Sequence, residues 1–312
     1  MVFIAEFCQN HNGDFEILKE MVHAAKESGA DYAKIQTIFA NMVAYREEFE
    51  NGIIQNGEVI TIKRPYQLEF DRLKRLEISY DQQSQFIEIC EKVGIKPLTT
   101  VFTRDSVQRI KEIGFKEVKI ASYDCASPPL LRDVKEFFDK IYVSTGATYD
   151  HEIEAAARIL NGSDYSLLHC VTMYPTPLDD FHLARMNYLR KFSSSVGWSD
   201  HSLIERDGIL GTLAAIYYGA DVIERHFTIL PADQTKDGPV SVRPDHIKEL
   251  KSFEAMSKED QLASLQEKLP YFERTFGIVE RTLSKAELLN RNYFRGRFAN
   301  KGPEGQIVFN WE

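Results

Sequence analysis

The chain has 312 residues, with 38 lysines and arginines against 47 aspartates and glutamates, a formal net charge of −9 at pH 7. That balance excludes a nucleic-acid binder, which neutralises phosphates with a basic face, so any anionic substrate has to be held by a few cations inside a cleft. A content of 43% hydrophobic and 27% charged residues excludes disorder, collagen and coiled coil, and no apolar run approaches the roughly 20 residues of a membrane helix.

In chain order, short β-rich runs alternate with helix-period segments. Strands are expected at 2–7, 32–37, 97–101, 118–122, 141–145, 166–171, 195–199 and 222–227, most with the continuous apolar character of strands buried on both faces. Amphipathic helices are expected at 15–29, 80–94, 104–114, 150–160 and 203–219. Gly29, Gly94, Gly114 and Gly219 close four of them as C-caps. About eight βα units close into an α/β fold of the (β/α)8 TIM-barrel type. No GxGxxG follows the first strand, so a doubly wound dinucleotide fold has little support.

The barrel is expected to span residues 1–256, with residues 257–312 forming a short C-terminal extension. Residues 38–66 make an unusually long connection, a candidate lid or substrate loop. The opening MVFIAEFCQNHNGD has no basic n-region followed by an apolar h-region, so no signal peptide is expected. Cys8, Cys90, Cys125 and Cys170 form no CxxC pair and read as reduced thiols of a cytoplasmic protein.

Active sites of such barrels lie at the C-terminal ends of the strands. Here those ends carry polar side chains that a buried strand would not otherwise choose: Glu6, Lys34, Gln36, Thr100, Lys119, Ser122, Asp124, Ser144, Tyr174, Ser199, Asp200, His201, Glu224 and His226. A buried lysine needs a partner or an anion. Lys34 and Lys119 read either as salt-bridged, to Glu6 or Asp124, or as part of a phosphate or carboxylate cradle with Ser122, Ser144, Thr145, Gly146 and Ser199. Ser144-Thr145-Gly146 opens a helix, whose free N–H groups favour an anion. His201 and His226, on neighbouring strand ends, read as hydrogen-bonded structural histidines or as ligands of a divalent metal beside Asp200 and Glu224. Cys8 reads as a buried hydrophobe or as a soft third ligand.

One after another, IAEFCQNHNGD, AKIQT, VKIAS, VSTG, LHCVTMYPTP, VGWSDHS and IERHFT resemble the signature strands of the bacterial sialic acid synthases. That family includes legionaminate and pseudaminate synthases and the spore-coat polysaccharide enzyme. The resemblance covers residue 1 to about residue 256. It implies a metal-dependent, dimeric enzyme of surface-polysaccharide biosynthesis, using Mn²⁺ or Mg²⁺. Its reaction would condense phosphoenolpyruvate (PEP) with the open-chain aldehyde of an N-acetylated amino sugar such as N-acetylmannosamine. The products would be a nine-carbon 2-keto-3-deoxy acid and phosphate.

Position by position, the resemblance implies His201 and His226 as metal ligands, and Lys34, Thr100, Lys119, Ser122, Ser144, Tyr174 and Ser199 as PEP ligands. Glu6 and Gln36 would face the reacting centre, with Asp124 where the family has Glu. Cys8 stands where the family has Gly, and Thr172 where it has Asn or Ser. After His226 the usual sugar-binding carboxylate is absent or displaced to Asp237. FRGRFANKG resembles the start of the antifreeze-like domain, which in the family supplies an Arg to the amino sugar; Arg295 or Arg297 is the candidate here. Two other activities stay open: the same PEP chemistry on another aldose or sugar phosphate, and a pyruvate aldolase working through a Schiff base on Lys119 or Lys34. Against a third, non-catalytic reading stand the retained Glu6, Lys34, Lys119, His201 and His226.

Overall fold

A computed structural model describes the chain from Met1 to Glu312. Strand and helix alternate eight times: β1 (Val2–Cys8) and α1 (Phe15–Ser28), β2 (Tyr32–Gln36) and α2 (Tyr80–Val93), β3 (Lys96–Val101) and α3 (Arg104–Glu112), β4 (Glu117–Ile120) and α4 (Pro128–Phe137). They continue as β5 (Lys140–Ser144) and α5 (Asp150–Leu160), β6 (Asp164–Cys170) and α6 (Arg185–Leu189), β7 (Val196–Asp200) and α7 (Leu210–Tyr218), β8 (Val222–His226) and α8 (Pro244–Glu254). All pairings are parallel and β8 returns to β1, which makes a closed (β/α)8 TIM barrel. All eight expected strands are present. No helix is long and apolar enough to cross a membrane.

Local chemistry sets the helix ends. Asp14 accepts from Glu16 N at 2.8 Å to cap α1, and Gly29, at φ 96°, closes it in the left-handed region. The expected helix over 203–219 is instead two. Gly208, at φ 54° and ψ −131°, adopts a conformation open to glycine alone, so a first turn ends at Asp207 and α7 begins at Leu210.

The barrel interior is layered, because alternate residues of each strand point inward. Toward the N-terminal ends of the strands, Ile4, Tyr32, Leu98, Tyr142, Leu168 and Val222 form an apolar plug. Gly197 makes room for it: a Cβ there would lie 2.2 Å from Val222 O and 2.7 Å from Leu168 Cδ2. Two residues further along the strands the inward side chains turn polar, and the plug becomes the floor of a cleft.

The connection after β2 contains a hairpin (Ile53–Gln55 with Glu58–Thr61) and a helix (Tyr66–Lys74), both on the way to α2. At the other end of the chain, α9 (Lys258–Lys268) packs on α7, and Leu265, Leu269 and Phe272 enter the core shared by strands and helices. From there α10 (Lys285–Phe294) and a small hairpin (Asn300–Lys301 with Ile307–Val308) cross the C-terminal mouth of the barrel.

Asp200 does not join the histidines as the sequence suggested. Strand alternation sends Ser199 inward and Asp200 outward, where it meets its register partner Arg225. Arg225 Nη1 donates to Asp200 Oδ2 at 2.8 Å, Thr212 Oγ1 donates to the same oxygen at 2.6 Å, and Ser202 N donates to Oδ1 at 2.7 Å. Both charged side chains are wholly buried. Removing one partner of such a pair strands the other's charge, at a cost of roughly 3–5 kcal/mol. Arg225→Met should therefore lower the free energy of unfolding by about that amount, read from the urea midpoint at pH 7.

Candidate active site

Every barrel strand contributes to a cavity of about 400 Å³ at the C-terminal mouth. Its floor is a ring of buried charges. Lys34 contacts Glu6, its register partner across β1 and β2, and lies 3.4 Å from Glu224 Oε2. Lys119 Nζ lies 4.0 Å from Glu224 Oε1 and donates to Ser144 Oγ at 2.6 Å. Thr100 Oγ1 accepts from Lys34 at 3.1 Å, and Ser199 Oγ donates to Glu224 at 3.0 Å. The ion-paired reading of the lysines holds, although with Glu6 and Glu224 rather than Asp124 as partners, and both lysines line the cavity.

Charge and burial compete here. Burial disfavours the Lys34 ammonium, Glu224 supports it and Lys119 opposes it, and the result is a lysine lowered to about 8. Burial also works against the Glu224 carboxylate, but Lys119 and Lys34 outweigh it and hold that group at about 2. The two lysines thus favour the ionised Glu224 carboxylate, while burial leaves the Lys34 ammonium easier to deprotonate than a free lysine.

Above the ring, the start of the connection after β5 forms a small polar cup. Gly146 leaves it open: a Cβ there would lie 2.5 Å from Thr172 Oγ1 and 3.0 Å from Ser122 Oγ. Thr172 Oγ1 is buried with no hydrogen-bond partner. An unsatisfied hydroxyl beside open backbone is a feature of a site made for a polar ligand.

His201 and His226 face each other with ring centroids 5.3 Å apart. Burial lowers both imidazoles below their ordinary range, which favours the neutral form that ligates metal. His226 Nδ1 is buried without a partner. The pair therefore fits a metal-binding role. Cys8 and Asp237 stand beside them, the Cys8 thiol donating to Asp237 Oδ2 at 3.1 Å.

Of the residues expected from sequence, Glu6, Cys8, Lys34, Gln36, Thr100, Lys119, Ser122, Ser144, Tyr174, Ser199, His201, His226, Asp237 and Arg297 line this cavity. Two do not. Asp124 lies under the C-terminal segment, accepting from Asn310 Nδ2 at 2.9 Å and Ser127 Oγ at 3.1 Å; burial raises it to about 6. Arg295 is held outside, its guanidinium 4.7 Å from the Trp311 ring centroid and 3.7 Å from Glu152. Conversely, Arg64, Arg72 and Lys236 reach the cavity without having been expected there. Arg64 and Arg72 belong to the connection after β2 or its helix, where nothing local distinguishes them from surface cations. Glu69 pairs with both Arg72 and Arg297, tying that connection to the C-terminal segment over the mouth.

The NeuB family model matches residues 21–262. An N,N'-diacetyllegionaminic acid synthase of Campylobacter jejuni is 34% identical over 266 residues, covering 80% of this chain and 74% of that protein. A pseudaminic acid synthase of Helicobacter pylori is 27% identical over 310 residues, covering 96% and 88%. The solved N-acetylneuraminic acid (sialic acid) synthetase of Leptospira borgpetersenii, in complex with citrate, superposes with a TM-score of 0.69 at 27% identity, covering 93% of this chain and 90% of that one.

The Lys34 ammonium is present below about pH 8 and lost above it. Affinity for sulfate, whose own charge is constant over this range, should fall as pH rises through about 8. In Lys34→Arg, which keeps its charge, that fall should shrink to whatever Lys119, also lowered by burial, contributes; calorimetric titration at several pH values reads both.

Proposed function

The chain belongs to the NeuB family of sialic-acid-type synthases and is an enzyme of that kind, and from that premise we propose that it condenses PEP with the open-chain aldehyde of an N-acetylated amino sugar. The products are a 2-keto-3-deoxy sugar acid and inorganic phosphate. The observation that carries this reading is the pair of buried lysines, Lys34 and Lys119, set among hydroxyls directly beneath two facing buried histidines.

PEP has two anionic ends, and fixing both orients its C3 toward the acceptor. Lys34, Lys119, Thr100, Ser122, Ser144, Tyr174 and Ser199 hold them. His201 and His226 would hold a divalent metal, Mn²⁺ or Mg²⁺ by resemblance, and such an ion supplies Lewis-acid polarisation of the acceptor's carbonyl oxygen. Bond formation between C3 of PEP and the aldehyde carbon leaves an electron-poor C2. Water adds there, and the C2–O bond to phosphate then breaks. Glu6, paired with Lys34 at the floor of the cavity, is the carboxylate that takes up the proton of that water or faces the positive charge at C2. Gln36 faces the same centre. Arg297, rather than Arg295, reaches the acceptor, because only Arg297 borders the cavity.

The first test is phosphate release from PEP in Mn²⁺ against N-acetylmannosamine, a diacetylated 6-deoxy analogue and their phosphates, with and without EDTA. Metal-dependent release with one acceptor is expected. Absence of both release and PEP binding overturns the reading, and trapping of a lysine by borohydride with pyruvate points to the Schiff-base aldolase.

Two variants sharpen the assignment. Glu6→Gln should lower kcat by roughly 10²- to 10⁴-fold, the usual worth of a positioned acid or base. Arg297→Ala should raise the acceptor KM on the order of tenfold, as loss of a charge-assisted hydrogen bond does, whereas Arg295→Ala should leave it unchanged.

A further inference from the structure

At the lip of the barrel where β1 meets β8, three donor groups converge that the chemistry above does not use together. Cys8 Sγ, an imidazole nitrogen of His226 and an Asp237 carboxylate oxygen all lie within 4.8 Å of one another. His226 is only 9% exposed, and its Nδ1 has no hydrogen-bond partner. A buried imidazole with an unpartnered nitrogen, grouped with a thiol and a carboxylate at ligating distances, is a coordination site in outline.

The backbone at Cys8 adds to this. Its φ is 47°, in the left-handed region that favours glycine, and a register shift between Glu6 and Cys8 turns the chain at that point. Glycine, the residue the family resemblance leads one to expect, would sit there without strain. The chain carries a thiol instead and directs it into the cavity. Such strain persists where the surroundings over-determine a residue, commonly at functional sites.

We propose that Cys8, His226 and Asp237 form a sulfur–nitrogen–oxygen site for a divalent metal ion, with His201 adjacent. The inference rests on the reading above for the ion's place at the mouth of the barrel, and goes beyond it in the ligand set. Binding converts the Cys8 thiol to a thiolate and releases its proton to solvent. A thiolate together with an imidazole favours Zn²⁺, Co²⁺ or Fe²⁺ over Mg²⁺ and Mn²⁺, which prefer oxygen ligands. Asp237 then serves the ion rather than a sugar hydroxyl. Three protein ligands leave open positions on the metal.

The test uses the full chain, stripped by chelator and titrated with Co²⁺ alone. The expected result is one ion per chain and a near-ultraviolet thiolate-to-cobalt absorption band. Cys8→Gly suits the backbone better than Cys, so it folds; it should lose the band and bind Co²⁺ roughly tenfold or more weakly. Asp237→Asn should keep the band and bind more weakly. Cys170 lies 3.7 Å from His201 Nδ1 and is the competing thiol, so Cys170→Ser should keep the band as well. A wild-type protein without the band, a band lost in Cys170→Ser but not in Cys8→Gly, or equal Co²⁺ affinity in Cys8→Gly overturns the proposal and leaves Cys8 as a hydrogen-bond donor to Asp237. No PEP or sugar is present, so this outcome is read separately from phosphate release: an active enzyme without the band refutes only the ligand set, and the band without activity refutes only the reaction.

Discussion

Four buried charges at one level of the barrel set the terms for everything above them. Glu6, Lys34, Lys119 and Glu224 are each less than a tenth exposed, and desolvation of any one alone would cost several kcal/mol. They are tolerable because they cancel. Strand register brings Glu6 to Lys34, and the curvature of the barrel brings Glu224 within reach of both lysines. Such a quartet contributes little net stability and binds no substrate by its presence alone. What it provides is a set of preorganised charges whose orientation is fixed before a ligand arrives, the condition under which electrostatics accelerates a reaction.

The apolar plug below and the C-terminal segment above confine this layer. Ile4, Tyr32, Leu98, Tyr142, Leu168 and Val222 fill the barrel beneath the charges, so the cleft opens at one end only. Over that opening, Asn290 Nδ2 donates to Thr172 O at 2.8 Å, Arg291 donates to Ala147 O at 2.6 Å, and Asn310 donates to Phe102 O at 2.8 Å. These are side-chain contacts to the backbone of the loops that follow the strands. The segment therefore holds the site's loops in place as well as supplying Arg297 to the cavity, and its capture of Asp124 is the same event seen from the loop after β4.

The strands were legible because a strand buried on both faces has little choice of residue, and a polar side chain at its C-terminal end stands out against that background. Lys34 and Lys119 in apolar runs carried the signal for the site, and His201 and His226 followed from being on adjacent strand ends. What stayed hidden is non-local. Asp200 looked like a neighbour of the histidines, since sequence shows order along a strand but not which partner waits on its outer face; Arg225 waits there. The helix over 203–219 had a continuous apolar pattern that one glycine conformation interrupts. Asp124 could be placed near the strand end but not beneath Asn310, more than 180 residues away. Arg64 and Arg72 belong to a connection whose path over the mouth follows from packing that no local pattern encodes.

The cations that bordering segments add to the cavity resolve the difficulty posed by an acidic chain with an anionic substrate. Six lysines and arginines line the cavity against three carboxylates. Two of each are the floor quartet, which is balanced. The remaining cations, Arg64, Arg72, Lys236 and Arg297, face Asp237 and, just outside, Glu69. The positive excess thus lies at the rim, in a concave, partly desolvated cleft, while the molecule as a whole carries −9. A low-dielectric cleft focuses such an excess and raises the local concentration of anions that the overall surface repels. The division of labour follows from position: the floor charges are neutralised by one another and set geometry, while at the rim four cations, of which Arg64 and Lys236 are exposed, outnumber the two carboxylates and draw the substrate in.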